Sequence, residues 1–159
     1  MKFGVGQPLR RKEDDRFLKG AGSYVDDVTE TGQLFAQFLR SPVAHARITH
    51  LDVAAARGMP GVRLVWTNAE TADRLQPLCN EFPLKQADGT DPAPVIMPHL
   101  AGEAVRFVGQ PIAMVVAEAI AAARDAYEAI EVEFEELPVV VDSRAALEPW
   151  SGTERVNIL

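Results

Sequence analysis

Residues 106–118 read RFVGQPIAMVVAE, and the part of that stretch after Pro111 decides the fold. Ile112, Ala113, Met114, Val115, Val116 and Ala117 form an unbroken apolar run behind Gly109 and Pro111, the pattern of a strand buried on both faces. Fully burying Ile112, Met114, Val115 and Val116 at roughly 1.5–3 kcal/mol each contributes on the order of 10 kcal/mol before conformational entropy is subtracted. No other segment offers as much, so this run is read as the central strand. Residues 119–130 are dense in alanine, carry no Gly or Pro, and space Ile120, Ala123, Tyr127 and Ile130 at helical intervals, which predicts an amphipathic helix. The period then changes to two, with Val132, Phe134 and Leu137 interleaved with Glu131, Glu133 and Glu135. Strand, helix and strand follow one another in a single pass.

Working outward, residues 33–39 place Leu34, Ala36 and Phe38 on one side and Phe35 and Leu39 on the other, a second well-buried strand that Pro42 ends. Residues 46–53 alternate again, with Ala46 and Ile48 opposite Arg47 and Thr49. Residues 54–57 fit one helical turn stopped by Gly58 and Pro60. In residues 61–67 Val62, Leu64 and Trp66 share a strand face, and Asn68 is the predicted N-cap of a short helix through Arg74. From residue 75 to 102 the pattern fails, because Pro77, Pro83, Pro92, Pro94 and Pro98 interrupt any regular element. So long an unpatterned stretch reads as a covering excursion. Val139, Val140 and Val141 suit a short strand, Asp142 caps a helical turn through Leu147, and Pro149 stops it. Residues 150–159 end on apolar Val156, Ile158 and Leu159, which reads as a boundary where more protein follows.

The 159 residues are 47% hydrophobic and 25% charged, enough for one sizeable core. A net charge of −7 and the lack of a basic run beyond the mixed segment 10–16 argue against a nucleic-acid partner. No apolar run is long enough to span a bilayer and the first residues lack a signal-peptide core, so the expected location is the cytoplasm. The single cysteine, Cys79, rules out an internal disulfide and has no neighbouring His to activate it.

Candidate chemistry is thin. Gly4 and Gly6 begin a GxG, but Gln7, Pro8 and Leu9 follow where a dinucleotide loop needs a glycine and a helix. Tyr24 and Val25 read as the start of a short strand, and the adjacent Asp26 and Asp27 lack the spaced oxygen ligands of a calcium site. His45 and His50 are five apart, on opposite faces of one strand, and His99 lies in the excursion, so no zinc site is expected. Glu131, Glu133 and Glu135 are read as a solvated outer face rather than an acid–base cluster. Neither Ser23 nor Ser41 lies in a nucleophile elbow. No catalytic, cofactor-binding or metal-binding residue is assigned. The first 19 residues carry Arg10, Arg11, Lys12, Glu13, Asp14, Asp15 and Arg16 ahead of Phe17 and Leu18. Composition favours a solvated arm over one lying on a partner, with Phe17 and Leu18 as anchors in the second case.

Several separated strings carry a family resemblance: Gly6-Gln7-Pro8, Arg11-Lys12-Glu13-Asp14, Arg16-Phe17-Leu18-Lys19-Gly20-Ala21-Gly22-Ser23-Tyr24-Val25-Asp26-Asp27, Leu39-Arg40-Ser41-Pro42-Val43-Ala44-His45-Ala46-Arg47-Ile48, Met59-Pro60-Gly61-Val62, Val105-Arg106-Phe107-Val108-Gly109-Gln110-Pro111 and Val115-Val116-Ala117-Glu118. In this order they resemble the start of the molybdenum-binding large subunit of the xanthine dehydrogenase, aldehyde oxidase and aerobic carbon monoxide dehydrogenase family. The resemblance implies an α+β fold, the α/β-hammerhead, with a mixed sheet and packed helices. It implies an extended arm over residues 1–19, the hammerhead over 20–150 with its excursion at 75–102, and the start of a linker at 151–159. It further implies that the chemistry lies elsewhere: molybdenum with molybdopterin on a following domain of the same or an adjacent chain, and iron–sulfur clusters and FAD on other subunits or domains. Under it the arm becomes a contact surface, with Arg11, Glu13, Asp14, Arg16 and Phe17 as its interface residues. The chain alone is expected to be inactive and to self-associate; the alternative is a free-standing binding or scaffold module that uses the excursion.

Overall fold

A computed structural model describes residues 6, 10–79, 85, 88–91 and 96–147, and in it the apolar run does form a central strand. The chain divides into two compact units, Met1–Gln33 and Leu34–Leu159. Pro83, Pro92, Pro94 and Pro149, the Gly4 and Gln7-Pro8-Leu9 positions and the apolar terminus at 150–159 lie outside the described residues.

In the second unit, β1 (Phe35–Arg40), β2 (Ala46–Asp52), α2 (Ala54–Arg57), β3 (Val62–Trp66), α3 (Asn68–Thr71), β4 (Leu78–Cys79), β5 (Ile96–Met97), β6 (Ala104–Val105), β7 (Pro111–Ala117), α4 (Ile120–Glu128) and β8 (Glu131–Glu136) follow in order; α1 (Asp14–Leu18) belongs to the first unit. The strands form a three-stranded sheet β1-β7-β3, a second three-stranded sheet β6-β2-β8, and the two-stranded ribbon β4-β5. Every pairing among the described residues is antiparallel. Among the described residues the α+β fold is thus built from antiparallel sheets and not from the expected mixed sheet. Although β7, α4 and β8 are consecutive, β7 and β8 belong to different sheets, and α4 packs back across β1 and β7.

The first core lies between α4, α2 and one face of the β1-β7-β3 sheet, where Val53, Ala56, Val65, Ala113, Val115, Ala126 and Ile130 are buried together. The second joins Ala46, Ala101, Val105 and Ile112, with Ile48 and Phe134 of the other sheet against it. In α4 the buried residues are Ala123 and Ala126, while Ile120 is largely exposed. Small alanines let the helix sit close to the sheet, which explains why Ala126 and not Ile120 completes the inner face. Along β2 a register irregularity between Ile48 and His50 lets Ile48 and Leu51, three apart, both turn inward.

Several local expectations are corrected. The strand at β1 is not well buried: Phe35, Gln37 and Leu39 are half-buried, but Leu34, Ala36 and Phe38 are exposed, because β1 is an edge strand with α4 on one face only. In β3 the buried residue is Val65, on the opposite face from Leu64 and Trp66, after an irregularity between Val62 and Leu64 shifts the alternation. Thr67, not Asn68, caps α3: its hydroxyl accepts from the Ala69 N–H, Glu70 bonds back to the Thr67 N–H, and the helix ends at Thr71 rather than Arg74. The excursion is not structureless throughout, since β4 and β5 pair Leu78 with Met97 and Cys79 with Ile96. Residues 139–141 form no strand. Asp142 caps as expected, its Oδ1 accepting from the N–H groups of Arg144 and Ala145 before a 3-10 turn, Ala145–Leu147.

Candidate interaction surface

The first unit is built around a short helix with a tight stop. After α1, Gly20 takes φ +68° and the Ala21 N–H donates to Arg16 O (2.9 Å) while the Gly20 N–H donates to Phe17 O (3.1 Å). This pair of bonds is the glycine-dependent helix end in which the chain reverses sharply. The reversal brings Tyr24 back onto Phe17, their rings stacked with centroids 5.5 Å apart and planes at 24°. The Arg16 guanidinium lies 5.1 Å from the Phe17 centroid, giving an arginine–phenylalanine–tyrosine pile. A Cβ at Gly22 would run into the Phe17 ring, so the glycine is what allows the pile to close. Tyr24 and Val25 therefore do not start a strand; Val25–Asp27 is a 3-10 turn in which Asp27 accepts from the Tyr24 N–H at 2.8 Å.

The sequence-predicted residues fall here as follows. Arg11 donates its backbone N–H to Asp14 Oδ2 (3.0 Å), Glu13 O accepts from the Phe17 N–H, and Arg16 and Phe17 enter the pile. Arg11, Glu13, Arg16 and Phe17 are exposed and Asp14 is half-buried. No described residue of this unit is buried, and Phe17 (39%), Tyr24 (64%), Leu18 (87%) and Val25 (88%) leave large apolar area in water. Sequence reasoning missed Tyr24 and Gly22; the signal was the pair of glycines between two aromatics, which permits a reversal.

The other candidates are occupied structurally. Ser41 donates its hydroxyl to Val43 O (2.7 Å), its N–H to Gln110 O, and its carbonyl accepts from the Gly109 N–H. Gln110, buried, accepts the Arg106 N–H on Oε1 at 2.7 Å. These bonds pin the 106–111 turn to the end of β1. His45 is buried with Nδ1 2.7 Å from Pro138 O; a carbonyl only accepts, so Nδ1 carries the hydrogen. His99 bonds Gln76 O through Nε2, and His50 is exposed. Among the described residues no three His, Cys, Asp or Glu side chains group to hold a metal ion. Glu131, Glu133 and Glu135 are exposed, Glu135 ion-paired to Arg47. At the base of the excursion Leu75, Pro77, Pro98 and His99 line a recess of about 140 Å³. That is room for a few waters, below the roughly 300 Å³ at which small-molecule sites begin. For Glu70, burial pushes the carboxyl up, but the Thr67 N–H and hydroxyl and the neighbouring Arg57 outweigh it and hold the group below its ordinary 4.5. No helix among the described residues is long and apolar enough to cross a membrane.

Residues 19–138 match the family described as aldehyde oxidase and xanthine dehydrogenase, a/b hammerhead domain. The chain is 43% identical over 153 residues to the nicotine 6-hydroxylase large subunit of Paenarthrobacter nicotinovorans, covering 95% of the chain and 18% of that protein. Its fold is similar to quinoline 2-oxidoreductase from Pseudomonas putida 86 (TM-score 0.74, 43% identity, 93% of this chain and 18% of that one). It is also similar to a Cu,Mo-CO dehydrogenase (TM-score 0.70, 41% identity, 92% of this chain and 17% of that one). The chain thus spans under a fifth of the length of the curated relative it matches.

Proposed function

Because this chain belongs to the aldehyde oxidase and xanthine dehydrogenase a/b hammerhead family, we propose that it is the supporting and assembly domain of a molybdenum hydroxylase and performs no turnover alone. The complete enzyme hydroxylates an aldehyde, an N-heterocycle or carbon monoxide in the cytoplasm. Its molybdenum and molybdopterin sit on polypeptide beyond this domain, and its iron–sulfur clusters and FAD sit on other subunits or domains. Residues 1–19 form an arm, 20–150 the domain body, and 151–159 the start of a linker.

One observation carries the reading: a unit with no buried residue among those described displays an ordered arginine–aromatic pile. Burying Phe17, Tyr24 and Leu18 on a neighbour yields roughly 1.5–3 kcal/mol for each side chain fully covered. Arg11, Glu13, Asp14 and Arg16 then supply the polar rim such contacts have. Purified alone, the chain associates with itself through the same exposed surface. Deleting residues 1–19 should reduce co-purification with the molybdenum-binding polypeptide; undiminished assembly would remove the arm's role. Stoichiometric molybdenum on the isolated chain would overturn the claim that the metal is held elsewhere.

A further inference from the structure

A strand at the end of a sheet leaves a row of N–H and C=O groups without a neighbour, and that row is a template for pairing with another chain. Among the described residues β3 is such a strand, since it pairs with β7 on one side only. Its five residues carry a single charge, at Arg63, and are otherwise apolar and strand-forming. A recess of about 290 Å³ runs along it, lined in part by Arg57, Leu64, Trp66 and Glu70. Thr67, just past the end of β3, is still extended, and backbone groups alternate along an extended chain, so Val65 and Thr67 turn theirs to the same side. Both are already taken by side chains from α2 and α3. Val65 O accepts from Arg57 Nη2 at 3.2 Å, and the Thr67 N–H donates to Glu70 Oε2 at 2.7 Å. The same Arg57 Nη2 also donates to Glu70 Oε1, so its two hydrogens serve the strand and the carboxylate. Guanidinium and carboxylate together offer the strand the donor and the acceptor that a neighbouring strand's backbone would offer.

We propose that the Arg57–Glu70 pair is an edge guard, holding the free side of β3 closed against strand pairing, and that the partner it excludes is β3 of a second copy of this chain. The strand's own sequence singles out the copy. Paired antiparallel about Val65, two copies exchange the Val65 N–H and C=O, and Trp66 of each lies opposite Leu64 of the other, apolar on apolar. Arg63 then meets Thr67 and no like charge directly opposite it. The role of the pair is exclusion and not stability, because an ion pair this open to water stabilises a fold little. The guard uses no residue of the first unit, so it and the contact surface proposed for the arm can each fail alone.

The test follows the full chain by light scattering and by amide hydrogen exchange at Val65 as the sample is concentrated. Arg57→Met keeps the aliphatic stem and removes the donor. Arg57→Gln, polar but too short to reach both partners, is the second variant should Arg57→Met not fold. In the variants, dimer formation is expected to slow Val65 exchange about tenfold or more, with no such slowing in the wild type. Thr67→Ala is the control: it removes the cap hydroxyl and leaves Arg57 and Glu70 on the strand, so it lowers stability without slowing Val65. Val65 exchange that ignores concentration in a folded Arg57 variant overturns the guard, even where the chain associates through another surface. Equal slowing in Thr67→Ala assigns the pairing to lost stability and overturns it as well.

Discussion

At the scale of single residues, the informative positions are those where one atom decides a contact. Gly22 has no left-handed backbone to defend; its constraint is the Phe17 ring lying where a Cβ would go. Gly22→Ala should displace that ring and undo the stack on Tyr24, a loss of about 0.5–1.5 kcal/mol. Near-UV circular dichroism of the tyrosine band and a several-fold weaker assembly affinity would register it. Glu70 sets a pH dependence. Its carboxyl is held below 4.5 in the folded chain, so its contribution is present above that value and is lost as the pH falls through the folded value. Melting followed from pH 6 to about 3 should show a shallower acid decline in Glu70→Gln than in the wild type. Thr67→Ala should cost about 1 kcal/mol at neutral pH by removing the cap itself.

Among the elements, β7 divides its side chains between two fates, and substitution separates them. Ile112 is fully buried in the second core, so Ile112→Ala should cost about 2–5 kcal/mol in denaturant unfolding of the free chain. Met114, two residues on and on the same face, is only half-buried, so Met114→Ala should cost clearly less in the same measurement. Equal losses would mean that Met114 is packed as tightly as Ile112. Periodicity made β7, α4 and β8 legible, because an apolar run, a 3.6 repeat and a strict alternation are each properties of a short window. It misread β1 and β3, whose two faces are both apolar; a window cannot tell which of two apolar faces meets a helix. The capping error at Thr67 is similar, since Thr67 and Asn68 are both good caps and only the return bond from Glu70 chooses between them.

Over the molecule as a whole, stability is unevenly distributed. The first unit has a helix of five residues and no buried residue among those described, while the second has two cores joined through β7 and β2. Hydrogen exchange of the free chain should be fastest at residues 10–33 and slowest along β7, with protection appearing at 10–33 on assembly. Rapid exchange of β7 would contradict its place at the centre of the sheet. The candidate site was legible only in part. The charge-dense arm and its phenylalanine stood out by composition, but the proposal that they form a contact surface came from family resemblance, and the stack of Tyr24 on Phe17 came from neither.

Local order of residues was enough to establish which segments are strands and helices around Gly109 and which family the motifs belong to. Three-dimensional packing alone settled that β7 and β8 separate into different sheets, that Tyr24 returns to Phe17, and that β7 feeds one core from each of its faces. The reason is physical: alternation records how often a side chain turns, whereas what it turns toward depends on chain reversals at glycines and on register shifts, which bring distant residues together.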